Sequence, residues 1–151
     1  MFDLYFKNSF VSIYYNKALR LGKAVWNGHL SGFEFREAIL LCMDLVDRHE
    51  LIGWLGDDRM LGAIEPADLK WSLEVHLPQL AASSMLRMAS LPSVQGKNKE
   101  VIETMVEKNN ELGQKLIFRE FEREEEAVAW LLELHAELPS AAQSPAAAKK
   151  A

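Results

Sequence analysis

The residues best suited to chemistry are the consecutive Asp57, Asp58 and Arg59. A carboxylate beside a guanidinium can orient a polar ligand through charge-assisted hydrogen bonds. Adjacent carboxylates can also take different pKa values and act as a general acid and a general base. The structural alternative is that Arg59 pairs with a carboxylate while Asp58 caps the next turn. Because no nucleophile or metal-ligand motif accompanies the triplet, we predict ligand or partner binding here and no catalytic residue.

His76 is the second candidate. No two of the four histidines, His29, His49, His76 and His135, are three to five residues apart, so they lack the spacing of a metal site. His76 lies close to Pro78 on the predicted helix that carries Trp71. An enzyme built from Asp58, Arg59 and His76 is one alternative function, and it requires the three side chains to converge across a cleft.

Three tryptophans, Trp54, Trp71 and Trp130, either line an apolar groove between helix and sheet or fill the core. The sequence contains no glycine-rich phosphate loop and no nucleophile-elbow motif. We therefore predict no cofactor. A small apolar ligand is the kind of molecule that such a groove would accept.

Composition indicates one folded domain. The chain has 151 residues, of which 49% are hydrophobic, enough to form a core without metal or disulfide support. Its single cysteine, Cys42, falls on the apolar stripe of a predicted helix, so we expect a buried structural thiol. The net charge of −5 is scattered along the chain, which argues against nucleic acid as a partner.

The elements that must position these residues begin with three alternating segments that predict an antiparallel meander, within 2–6, 10–15 and 19–26. Ser31 and Glu34 have the spacing of a capping box, and an amphipathic helix is predicted after them. The apolar run 51–55 predicts a buried strand. Asp57, Asp58 and Arg59 then lie just beyond its carboxyl end, where ligands of α/β sheets usually bind.

The rest of the chain alternates helices and strands. A helix is predicted from Pro66 to a kink or stop near Pro78, followed by a strand at 85–91, a helix at 98–112, a strand at 116–121 and a helix at 122–138. We predict an α/β fold in which a mixed sheet, antiparallel first and then parallel, is covered by about four helices. The domain is expected to span 1–138, with a disordered Ala/Pro/Lys tail at 139–151.

Four short motifs resemble the SpoIIAA-like group within the STAS/SEC14-like superfamily. They are Ser31-Gly32-Phe33-Glu34-Phe35, Asp57-Asp58-Arg59, Pro66-Ala67-Asp68-Leu69-Lys70-Trp71 and Ala127-Val128-Ala129-Trp130-Leu131. The resemblance implies a SpoIIAA-like fold and a role as a regulatory partner or as a holder of a ligand in a groove. Members that antagonise anti-sigma factors are switched by a phosphorylated serine, whereas no serine or threonine occurs between Trp54 and Trp71, so no phosphoacceptor is predicted.

The function predicted from these observations is a non-catalytic regulatory or ligand-binding domain. It would act through a protein partner or through a small apolar ligand held between the Trp71 helix and the sheet. A structural homodimer is the third alternative, because exposed sheet edges invite self-pairing. No apolar run approaches the roughly 20 residues that span a bilayer, and the first residues do not resemble a secretory segment. We therefore expect a cytoplasmic protein.

Overall fold

The described residues form one sheet of six strands, which lie in the order in which they occur along the chain. The computed structural model describes residues 1–93, 96, 98–113 and 115–137, and the predicted tail at 139–151 lies outside them. The strands are β1 (Asp3–Lys7), β2 (Val11–Asn16), β3 (Leu21–Gly28), β4 (Gly53–Leu61), β5 (Arg87–Leu91) and β6 (Ile117–Glu120). β1 to β3 are antiparallel and β3 to β6 are parallel. The predicted α/β fold with a mixed sheet is confirmed.

In the part of the chain that the structure describes, four helical units cover this sheet. They comprise α1 (Phe33–His49), the interrupted unit α2 (Pro66–Trp71) and α3 (Leu77–Ala81), α4 (Lys99–Leu112) and α5 (Glu124–Glu137). A π-helical turn, Ser72–His76, joins α2 to α3. Within the described ranges, no helix has both the length and the apolar character needed to cross a membrane.

The two faces of the sheet carry separate apolar clusters, because successive strand residues point to opposite faces. Trp54 belongs to the cluster beneath α1, and its neighbour Leu55 belongs to the cluster beneath α5. We call these sides the α1 face and the α5 face. Gly22 pairs with Trp54 across β3 and β4, and a Cβ atom there would lie 2.3 Å from the indole ring. The Trp54 ring therefore occupies space that a side chain at position 22 would fill.

Strand β4 continues through Asp57, Asp58 and Arg59, so the prediction that these residues follow the strand was wrong. Pairing with β3 joins Val25 to Asp57 and, after a bulge, Asn27 to Met60. Backbone pairing in a parallel ladder does not depend on the polarity of the side chains. The polar residues therefore alternate between the two faces of the sheet.

The start of α1 also differs from prediction. The N-cap of α1 is Gly32, and no side chain caps it. The Gly32 amide instead donates to the buried Asp68 carboxylate, at 3.1 and 3.2 Å to its two oxygens, so a contact between distant elements replaces the capping box.

The π-helical turn Ser72–His76 interrupts the regular helix just before Pro78, at the place of the predicted kink or stop. The Leu77 amide donates to the Ser72 carbonyl, and the chain continues through Pro78 into α3, although proline has no amide hydrogen to donate.

Candidate functional site

A largely apolar cavity of about 460 Å³ lies on the α1 face, between the sheet and the helices α1, α2–α3 and α4. Its volume falls within the range of roughly 300–1,000 Å³ that is usual for small-molecule sites. The apolar lining comes from every surrounding element and includes Trp26, Phe35, Ile39, Cys42, Met43, Val46, Trp54, Leu61, Ile64, Leu80, Met88, Met105 and Phe118.

Small residues on the central strands leave room for the cavity. Gly56 of β4 pairs with Ser90 of β5, and Ser90 pairs in turn with Glu120 of β6. All three residues line the cavity. A Cβ atom at Gly56 would approach no atom more closely than 3.6 Å. Glycine therefore opens space at this position without being required by the backbone.

Helix α4 covers the cavity without packing tightly against the sheet. Its apolar residues Val101, Ile102, Met105 and Val106 line the cavity and are only partly buried. The one buried residue of this helix is Asn109. Helices on a sheet are normally held by a buried apolar stripe, so α4 has an apolar face that the protein itself covers incompletely.

Two buried asparagines hold the ends of α4. The Asn98 side chain accepts a hydrogen bond from the Ile64 amide at 2.9 Å and donates one to the Gly62 carbonyl at 3.1 Å. At the other end, the Asn109 amide group donates to the Leu116 carbonyl at 2.9 Å. Polar contacts thus fix the ends of the helix, and its middle lies over the cavity.

Asp58 is the acidic residue of the cavity wall that is partly buried, whereas the glutamates that line the cavity are exposed. It shares the α1 face of β4 with Trp54 and Gly56, since all three occupy alternate positions, and it is partly buried. Burial raises the pKa of Asp58 to about 7, and the nearby negative charges of Asp57 and Glu120 act in the same direction. Near neutral pH this group can therefore exist with or without its proton.

Two further polar side chains of the cavity wall have unsatisfied atoms. His76 is 8% exposed, and neither its Nδ1 atom nor the Ser90 Oγ atom has a hydrogen-bond partner among the described residues. Burial lowers the pKa of His76 to about 4, so the imidazole is neutral at physiological pH. Leaving buried polar atoms unpaired costs roughly 1–3 kcal/mol each, and a ligand can supply their partners.

Asp57 and Arg59 lie on the opposite, α5 face. The guanidinium of Arg59 donates two hydrogen bonds to the Asp57 carboxylate, at 2.9 and 2.7 Å. Burial tends to raise the pKa of Asp57, but the hydrogen bonds and positive charge of Arg59 outweigh it and lower the pKa. Near them, Lys23 forms an ion pair of 2.7 Å with Glu124 at the start of α5. This network is suited to holding α5 on the sheet.

The three tryptophans predicted to line a groove also lie in different parts of the structure. Trp54 lines the cavity together with Trp26. Trp71 packs edge-on against Phe35, with ring centroids 6.4 Å apart. Trp130 lies on the α5 face, where the Arg87 guanidinium is 4.7 Å from its ring centroid. Of the three predicted groove tryptophans, only Trp54 is a wall residue.

The structure brings Asp58 and His76 to one cavity and leaves Asp57, Arg59 and Trp71 outside its wall. The enzyme alternative requires Arg59 to converge with Asp58 and His76, and the position of Arg59 on the α5 face contradicts this requirement. Within the described ranges, no hydrogen bond links Asp58, His76 and Ser90, and no cluster of histidine, cysteine and acidic side chains could hold a metal ion. The cavity has a few polar groups in an apolar wall, which is the composition usual for small-molecule sites.

Sequence reasoning missed Ser90, Glu120 and the role of α4. The usable signal was the alternation of Trp54, Gly56 and Asp58, which places the carboxyl group on the tryptophan face once β4 is extended. Cys42, predicted to be a buried thiol, is buried in this wall, and burial raises its pKa to about 12. Such a thiol is largely protonated and unreactive at neutral pH.

The SpoIIAA-like resemblance rests on the four sequence motifs and stays a prediction. No protein-family model, curated protein or solved structure matches this chain.

Proposed function

We propose that this protein is a non-catalytic binding domain that holds a small, mostly apolar molecule in the cavity of the α1 face. The observation that carries the proposal is an apolar cavity of about 460 Å³ whose wall contains atoms of His76 and Ser90 without a hydrogen-bond partner among the described residues. A cavity that combines apolar walls with a few polar groups is the usual form of a ligand site.

Helix α4 supports the same interpretation. Its apolar side chains over the cavity stay partly exposed, and a bound molecule would remove them from water. Apolar surface buried in this way contributes about 25 cal/mol per Å². Part of this gain offsets the cost of immobilising the ligand.

A regulatory role follows if occupancy changes the stability of α4. The ends of the helix are held by Asn98 and Asn109, so contacts with a ligand would add most to its middle. A ligand that binds the ordered helix preferentially shifts its equilibrium by the difference in affinity. The exposed side of α4 would then differ in order between the free and the ligand-bound protein, and a protein partner that contacts α4 could distinguish the two states. This agrees with the regulatory role that the resemblance implies. The buried free thiol of Cys42 is compatible with a cytoplasmic location.

A cavity-filling substitution tests the proposal. Ser90→Leu places a larger side chain in the cavity, whereas Ser12→Leu makes the same exchange on β2 at a position that alternates with Val11 and Ile13 and so faces α5. Binding is followed by the fluorescence of phenylnaphthylamine, a neutral apolar probe. We expect the wild-type protein and Ser12→Leu to bind the probe, and Ser90→Leu to bind it at least tenfold more weakly.

Gly56→Leu gives a second variant with the same expected result, since Gly56 also lines the cavity. Urea unfolding of each variant establishes that it is folded. Failure of the wild-type protein to bind the probe, or equal binding by the filled and unfilled proteins, would contradict the proposal.

A further inference from the structure

We propose that the molecule held in the cavity is an apolar amine, whose ammonium group is bound between Asp58 and Glu120. This inference rests on the proposed function and specifies the chemistry of its ligand. It is drawn from the position of the carboxyl groups, the balance of charge in the cavity wall and the hydrogen-bonding atoms that lack partners.

The polar wall residues that belong to strands lie together at the carboxyl-terminal edge of the sheet. Asp58, Ser90 and Glu120 lie in the carboxyl-terminal halves of β4, β5 and β6, and the register places Ser90 directly beside Glu120. Ligands of parallel sheets characteristically lie outside the carboxyl ends of the strands. The apolar walls extend from this edge beneath α4. The shape suits a molecule with one polar head and an apolar body.

The charge of the wall favours a cationic head. Four acidic residues line the cavity, namely Asp58, Glu103, Glu107 and Glu120, against the two basic residues Lys99 and Arg119. The Arg119 guanidinium lies 5.3 Å from the ring centroid of Phe121 and 5.8 Å from that of Trp130. Trp130 belongs to α5, and Phe121 packs against the apolar cluster between α5 and the sheet, so this cation is engaged away from the cavity. Lys99, Glu103, Glu107 and Glu120 are all exposed, whereas Asp58 is partly enclosed, so Asp58 is the acidic group of the wall that water screens least.

The unpartnered atoms complement an ammonium group. An ammonium has three donors and no acceptor. Asp58 and Glu120 can each accept one hydrogen bond through their carboxylates, and the Ser90 hydroxyl, which lies beside Glu120, can accept a third. A carboxylate head would instead add negative charge beside Asp58 and Glu120. An alcohol could donate only one hydrogen bond.

Three ligands of equal chain length test the inference: octylamine, octanol and octanoate, each titrated calorimetrically into the full-length protein at neutral pH. We expect octylamine to bind at least tenfold more tightly than octanol and octanoate to bind most weakly. Asp58→Asn should reduce the affinity for octylamine to that for octanol and leave the affinity for octanol unchanged. Glu120→Gln should weaken octylamine binding several-fold. Glu37→Gln, an exposed exchange on α1, is the matched control and should have no effect.

The outcomes separate this inference from the proposed function. If octanol binds and octylamine binds no more tightly, or if octanoate binds best, the amine is wrong while the binding cavity stands. The same holds if phenylnaphthylamine binds and none of the three octyl compounds does. If neither the fluorescent probe nor any octyl compound binds to the wild-type protein, both proposals are wrong.

Discussion

Replacing Asp58 by asparagine removes a carboxyl group whose ionisation the fold opposes. In the unfolded chain this group has a pKa of 3.8, and in the folded protein burial raises its pKa to about 7. An acid with the higher pKa in the folded state holds its proton more tightly when folded. Stability therefore falls as the pH rises from 3.8 towards 7 and becomes constant above that range. Asparagine does not ionise, so the variant escapes this loss.

The size of the effect follows from the two pKa values. A tenfold change in proton affinity corresponds to about 1.4 kcal/mol, so complete ionisation of Asp58 lowers the free energy of unfolding by about 4 kcal/mol. Part of this loss has already occurred at pH 5, where the unfolded group is ionised. Between pH 5 and pH 8, the free energy of unfolding of Asp58→Asn relative to wild type should therefore increase by about 2–3 kcal/mol.

Urea unfolding at pH 5, 6.5 and 8, followed by tryptophan fluorescence, measures this difference. Subtracting wild type from variant at each pH removes the contribution of every other titrating group, provided that the two proteins have the same denaturant slope. Asp47→Asn on the exposed side of α1 controls for the loss of one negative charge. A difference for Asp58→Asn that stays constant within about 0.5 kcal/mol would refute the assignment of Asp58 to a desolvated site.

His76→Leu should show the opposite dependence on pH. The pKa of His76 falls from 6.5 to about 4 on folding, so wild-type stability declines as the pH drops through this interval. In the same assay, the free energy of unfolding of the variant relative to wild type should increase by about 2 kcal/mol between pH 8 and pH 5. A constant difference would contradict burial of the ring. Gly22→Ala should destabilise the protein by about 1–3 kcal/mol, because the new methyl group overlaps the Trp54 ring. Gly56→Ala, which meets nothing within 3.5 Å, is its control, and equal urea midpoints for the two variants would refute this reasoning.

Much of the fold could be predicted because local patterns and long-range packing agree. The alternation in the first third predicted the meander, and the apolar stripe containing Ala38, Cys42 and Leu45 predicted α1. These patterns are direct consequences of which side chains must be buried. Helix boundaries were less accurate where a distant residue intervened, as when Asp68 took the place of the predicted cap of α1.

The site was predicted only in part because strand length determines which face a residue occupies. If β4 ended at Leu55, as predicted, then Asp57, Asp58 and Arg59 would form one group after the strand. With β4 continuing to Leu61, Asp58 faces the cavity while Asp57 and Arg59 face α5. A single rule, that successive strand residues alternate, assigns neighbouring charged residues to different environments.

The sequence by itself determined the mixed α/β sheet, the buried cysteine and the absence of a catalytic or phosphate-binding motif, since these depend on residue types and their spacing. Only the tertiary structure decided that Asp58, Ser90 and His76 share one cavity, because they belong to separate elements along the chain. It also decided that α4 covers this cavity through polar contacts at its ends. The electrostatic properties of Asp58 and His76 arise from burial, which assembly of the whole sheet and its helices creates.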